Sequence, residues 1–486
     1  MKKLLSVLLS AICLIFFAIG SASCGDSSGS DNGNGNGNGN NTEQDSNEII
    51  YEFDENEQVE NLPATEGLEF REKSGGYEVV GIGTATDTVL VIPSEYNGKP
   101  VISIYGAQVY NPTNDMVANE GAFLQCTSIT RVIIPDSVTS IGKYAFFCCY
   151  NLTKIIIPDS VTYVGRSAFF GCYSLTIYCE AKSQPRGWDA PWDDPDNHAV
   201  WDCNNNEVAD DGNIYVSVKG IRYALKDGNA TVARQPRGVS EEITLPHGIK
   251  YKGTVYRVTS IGEWAFNRSG LKSISIPVSV TSICDYAFGF CSGITSMIIP
   301  GSVTSIGRSV FSNCSSLTNV TLSNGVTSIG DWAFSECSSL KSIEIPDSVT
   351  SIASRAFRGC SSLKSIEIPE GVKSIGERAF SGCSSLTSIT IPYFIYAIGS
   401  GTFSKCSNLT SIVMYDDVQF IGEEAFSECS SLTSIVIPES VIYMGSNVFE
   451  GCNGLTIYCE AESQPDTWDS MWNSSNCTVI WGYKGN

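Results

Sequence analysis

Eight cysteines recur every 23 residues without a slip: Cys291, Cys314, Cys337, Cys360, Cys383, Cys406, Cys429 and Cys452. Around each runs a near-constant phrase, such as Cys-Ser-Ser-Leu-Lys-Ser-Ile-Glu-Ile-Pro-Asp-Ser-Val-Thr-Ser-Ile from Cys337 to Ile352. A fixed period of this length restricts the chain to a solenoid, in which each repeat is one coil stacked on the last. Function then belongs to a long repeated surface rather than to a single pocket.

The alternation in Leu340-x-x-Ile343-x-Ile345 reads as a strand with Ile343 and Ile345 inward and Glu344 outward. Pro346 stops it, having no N–H for the ladder. Val349-x-x-Ile352 reads as a second extended piece. Arg355-Ala356-Phe357 reads as a helical turn that delivers Cys360 to the core. The expectation is an α/β repeat solenoid of 23-residue coils, mainly short parallel strands with short helical turns.

The repeats fall into two arrays, 67–202 and 212–486, joined by a polar linker, 203–211. Their closings match: Thr176-Ile-Tyr-Cys-Glu-Ala-Lys-Ser-Gln-Pro answers Thr456-Ile-Tyr-Cys-Glu-Ala-Glu-Ser-Gln-Pro. Each then passes through paired tryptophans (Trp188 and Trp192; Trp468 and Trp472) to Trp201 or Trp481. A solenoid must cover its open ends, so these read as caps on each array.

Residues 1–24 read as an export leader, with Lys2 and Lys3 ahead of an apolar run from Leu4 to Ile19. Ser21-Ala22-Ser23-Cys24 resembles a bacterial lipobox, which implies lipidation of Cys24 and a lipid anchor at the outer membrane or cell surface. A strict lipobox carries Leu where Ser21 stands, so plain secretory cleavage is the alternative. Residues 25–66 read as a Gly/Asn-rich, acidic tether.

Nineteen cysteines in an exported chain first suggest disulfides. Eleven of them, however, hold ladder positions: Cys126, Cys149 and Cys172 in the first array and the eight above in the second. Side chains in a parallel stack point the same way, which is poor bridging geometry, so the ladder reads as packed thiols. Whether Cys459 and Cys477 bridge is open, since Asn197 stands where Cys477 would align in the first cap.

The phrase Phe-x-x-Cys-Ser-Ser-Leu-Thr-Ser-Ile-x-Ile-Pro-x-Ser-Val-Thr-Ser-Ile-Gly-x-x-Ala-Phe resembles the BspA-type class of leucine-rich repeats. Residues 357–380 and 426–445 follow it almost letter by letter. The resemblance implies a non-catalytic surface protein that binds a protein ligand, from host matrix or another microbe. It carries no catalytic residue to transfer.

A formal net charge of −22 argues against nucleic acid or an anionic membrane surface as partner. Two histidines, His198 and His247, leave little material for imidazole chemistry. No cysteine–histidine set has metal-ligand spacing, and the acidic runs Asp193-Asp194-Pro195-Asp196 and Asp210-Asp211 lack that of a calcium loop. Neither catalysis nor a cofactor is therefore expected. A candidate binding patch stands out where exposed Thr and Ser give way to Tyr393, Phe394, Tyr396, Tyr415, Phe420 and Tyr443. The alternative to protein adhesion is a surface glycan-binding accessory that uses these aromatics as sugar platforms. A further candidate is the insertion 107–119, whose bland reading is a cap loop.

Overall fold

In the computed structural model the described residues are 50–52, 62–106, 121–194, 197–203, 207–236, 239 and 242–485. The leader with Cys24, the Gly/Asn stretch to residue 49 and the 107–119 insertion lie outside them. No helix among the described residues is long and apolar enough to cross a membrane.

Most coils place a first strand and a shorter second strand on two sides of an apolar core; the coil after Cys360 has only the second, Ser374–Ile375. Ser296–Ile299, Asn319–Leu322 and Ser342–Glu344 pair in parallel, each residue opposite its equivalent one coil on, as in Val320 with Ile343. On the other side Ser328–Ile329, Ser351–Ile352 and Ser374–Ile375 do the same. The pleat alternates burial, so Ile343 is buried while Ser342 and Glu344 face solvent. Between the sheets a column of phenylalanines runs from Phe266 to Phe449, with neighbouring rings 5.3–5.7 Å apart.

The expected helical turns are absent: the described residues form strands and turns only. Ala353 to Cys360 shows why. The N–H groups of Ala356, Arg358 and Cys360 donate three residues back, to Ala353, Arg355 and Phe357. Those of Arg355, Phe357 and Gly359 instead donate to Glu377, Ala379 and Ser381 of the next coil, at 2.8–2.9 Å. Arg355 (φ 59°) and Gly359 (φ 73°) are left-handed, which ends a right-handed helix. The segment is a third side of the coil, hydrogen-bonded outward at every second residue.

The buried apolar residues form two clusters, Leu68 to Trp192 and Val216 to Trp472. Each begins at an antiparallel hairpin, Glu69–Lys73 with Gly76–Gly81 and Ile214–Val218 with Ile221–Lys226. Each ends at a tryptophan triad, whose members lie 4.8–6.4 Å apart.

The expected pair of separately capped arrays is not what forms. The opening of the second folds onto the closing sheet of the first. Asp210 N–H donates to Ala199 C=O at 3.0 Å, and Tyr215 stacks on His198 at 4.7 Å. The Arg222 guanidinium, buried, donates to the Thr176 hydroxyl and lies 4.5 Å from the centre of the Tyr215 ring. Burial, reinforced by Arg131, lowers the neighbouring Lys154 to about 8. Nor is the tether detached throughout. Ile50–Glu52 pairs in parallel with Gly248–Lys250 of the second array, and Thr65 N–H bonds Val91 C=O at 2.9 Å.

Candidate interaction surface

In three late coils Tyr393, Phe394, Tyr396 and Tyr415 lie at the corner between first and second strands, and Phe420 and Tyr443 open the second strands. The structure sorts them into two runs. Tyr393 and Tyr415 stack with centroids 3.9 Å apart. Tyr396, Phe420 and Tyr443 form a tilted series at 5.3 and 6.2 Å along the second strands. Phe394 stands between the runs in sequence and is 69% exposed; Tyr393 and Tyr396 are 46% and 51% exposed. The second cap does not cover these three.

The turn that presents them is built by acids. Tyr393 N–H donates to Glu370 and Phe394 N–H to Asp417, each at 3.1 Å, and Phe394 adopts φ 69°. Those carboxylates hold a bulky residue in a conformation that is strained for it. The Tyr393 phenol is raised above its ordinary value by its hydrogen bond to Tyr415, and Tyr443 by burial. The corner is neutral, flat and aromatic, with an acidic rim, and offers contact area rather than an acid–base pair.

The ladder cysteines are free thiols; all eleven are buried except Cys126, which is half-buried. Each from Cys291 to Cys452 donates Sγ–H to a phenylalanine carbonyl one coil and three residues earlier, at 2.9–3.2 Å. From Phe288 onward that carbonyl also accepts the N–H of its own coil's cysteine, as Phe357 does from Cys360; Phe266 accepts that of Ser269 instead. The Phe-x-x-Cys spacing thus serves one carbonyl twice. Burial pushes the thiols up, Cys337 and Cys383 to about 12. Cys459 and Cys477 are also free.

One grouping escaped the sequence pattern because it is not periodic. His198 Nδ1 lies 3.2 Å from Asp211 Oδ2 and 4.0 Å from Asp210 Oδ1, so three potential metal donors converge. Asp211 Oδ2, however, already accepts from Tyr215 Oη at 2.6 Å and Asn213 Nδ2 at 2.9 Å. The group fastens the junction between arrays. In the other acidic run Asp194 is buried and accepts from Gly171 N–H at 3.0 Å, while burial raises Asp193 to about 6.

A family model described as BspA type leucine rich repeat region matches in six copies, over residues 112–182, 249–354 and 331–456, more than half of the chain. Among solved structures the chain is similar to a leucine-rich repeat protein from Bacteroides ovatus at 25% identity, covering 87% of this chain and 100% of that one, with a TM-score of 0.46. A leucine rich cell surface protein from Faecalibacterium prausnitzii shares 23% identity over 88% of this chain and 100% of its own, with a TM-score of 0.35. The pneumococcal vaccine antigen PcpA shares 15% over 87% and 98%, with a TM-score of 0.32. No curated protein matches the chain.

Proposed function

The chain belongs to the BspA-type leucine-rich repeat family, and from that premise we propose that it is a non-catalytic scaffold that binds a protein partner outside the cell. The observation that carries this reading is the aromatic corner. Three rings 46–69% exposed are held by a fixed turn on a rigid stack, beside two more in ring contact with them. Clustered exposed aromatics on a preorganised frame are the usual anchors of protein contacts. The leader and Cys24 support display at the cell surface through a lipid anchor, with the arrays as the recognition module. Coil-to-coil hydrogen bonding occupies the backbone of all three sides, which suits display better than chemistry.

The Tyr393–Tyr415 stack also favours a second reading, a platform for a sugar ring, and the same experiment separates the two. The leaderless chain is screened against matrix proteins, microbial surface proteins and polysaccharides. Saturable binding to a protein, lost in Phe394→Ser/Tyr396→Ser, supports adhesion. Binding confined to polysaccharides replaces it with glycan capture. Binding that ignores the substitution removes the corner as the site.

A further inference from the structure

The two closing sheets allow a comparison within one molecule. Thr176–Cys179 pairs with His198–Trp201, and Thr456–Cys459 pairs with Thr478–Trp481, in the same register: Tyr178 opposite Val200, Tyr458 opposite Ile480. The two motifs share their sequence but not their burial. Val200 is 1% exposed, whereas its equivalent Ile480 is 41% exposed. Thr176 is buried and Thr456 half-buried; Ala199 is buried and Val479 half-buried. The difference has a visible cause. Residues 207–222 lie over the first sheet, bonding its outer edge at Ala199 and its face at Thr176 and His198. Over the second sheet the Tyr483 ring touches Tyr458 at 4.9 Å, and Thr478–Trp481 stays the outermost strand.

The chemistry of the uncovered sheet says what fits it. In the first sheet the outward column holds Arg131, Lys154 and His198, and the cover brings Asp210 and Asp211 to match. In the second, outward Ser411, Ser434 and Thr478 replace those cations. Beside them Val413, Val436 and Ile480 are 46%, 38% and 41% exposed. The equivalent segments of the two preceding coils carry Lys341, Glu344, Lys364 and Glu367; from Ser388 onward the first strands carry no charge. An open strand edge beside an uncharged, β-branched face is a template for pairing. In a chain of net charge −22, such a face is where a second copy meets least repulsion.

We propose that this closing sheet is the interface of a two-fold dimer, in which Thr478–Trp481 of one copy pairs antiparallel with the same strand of a second. Like strands meeting antiparallel are self-complementary, so both copies satisfy the same edge groups at once. The contact consumes each copy's closing edge and therefore stops at two rather than growing a fibre. The aromatic corner stays available on both copies, giving a bivalent particle.

The test is analytical ultracentrifugation of the whole leaderless chain from about 1 to 100 µM, at low salt and at 0.5 M NaCl. The expected result is a monomer–dimer equilibrium strengthened by salt, because screening lowers the repulsion between two acidic copies. Ile480→Lys should weaken it at least tenfold, and Thr478→Lys, exposed on the same edge strand, should do likewise, so one misfolded variant does not decide the matter. Ile298→Lys, at the equivalent outward position of an early coil, should leave it unchanged. A wild type that is monomeric throughout overturns the proposal and leaves the face to a different protein. A dimer indifferent to both closing-sheet substitutions, or abolished by Ile298→Lys, overturns its placement.

Discussion

Cys360 donates its thiol to the carbonyl of Phe334, one coil and three residues away, at 3.2 Å. The Cys360 N–H meanwhile serves Phe357 in its own coil. Each ladder cysteine from Cys291 to Cys452 therefore stitches two coils together without a covalent bond. Serine in the same place would lose apolar volume, and alanine would lose the donor.

This arrangement sets an alkaline limit. Burial raises Cys337 and Cys383 to about 12 and Cys291 to about 11, against about 8.5 for an exposed thiol. The unfolded chain releases these protons first. The ladder's contribution is therefore complete below about pH 8.5 and is lost as pH rises toward 12. Urea midpoints at pH 7.5, 9 and 10 should fall in that order, and Cys337→Ala/Cys383→Ala should flatten the trend.

In the closing tryptophan triad Trp468 packs on Trp472 and donates Nε1–H to Val441 C=O at 3.1 Å. Trp468→Ala should cost about 3–5 kcal/mol. Coils of a stack depend on their neighbours, so the loss should be local. Hydrogen exchange should show the amides of Asn447 and Phe426 losing protection while that of Phe311 keeps it.

How far the sequence could be read follows from which interactions repeat. The strands, the proline stop, the inward isoleucines and the thiol ladder recur at one spacing, and each copy reinforces the reading. The segment from Ala353 to Cys360 misled because Arg-Ala-Phe has helical composition. Its hydrogen bonds go to the next coil, and no local propensity reports that. The aromatic corner was legible as residues but not as two runs, since their separation depends on a turn held by Glu370 and Asp417. The pairing of Arg222 with Thr176 spans 46 residues, happens once, and left no pattern to find.

That pairing should govern how the two arrays move. Arg222→Met removes a buried charged donor, a loss of about 1.5–3 kcal/mol. Cleavage within residues 203–211 should accelerate roughly tenfold or more, with the unfolding of either array little changed. Asp211 responds to pH. Although burial opposes it, hydrogen bonds from Tyr215 and Asn213 hold its carboxyl below the ordinary value. Its contribution is present above about pH 4 and lost as pH falls through the native value, so small-angle scattering should show a larger radius of gyration in acid.

For the aromatic corner, Tyr396→Ser/Phe420→Ser/Tyr443→Ser should weaken partner binding roughly 25-fold or more, the effect of losing about 2 kcal/mol of anchor contacts. Surface plasmon resonance reads the loss. Circular dichroism should show the β signature retained, since these side chains lie outside the phenylalanine column.

The protein is a stack of coils whose ladder cysteines are unbridged, largely buried and hydrogen-bonded to the neighbouring coil. Mass spectrometry of the whole chain, purified without reductant and alkylated before and after unfolding, reads this directly. The ladder cysteines from Cys149 to Cys452 should stay unlabelled in the native chain, and every one should be labelled once it is unfolded. Bridged ladder cysteines, or rapid labelling of Cys337 and Cys360 in the folded protein, would contradict it.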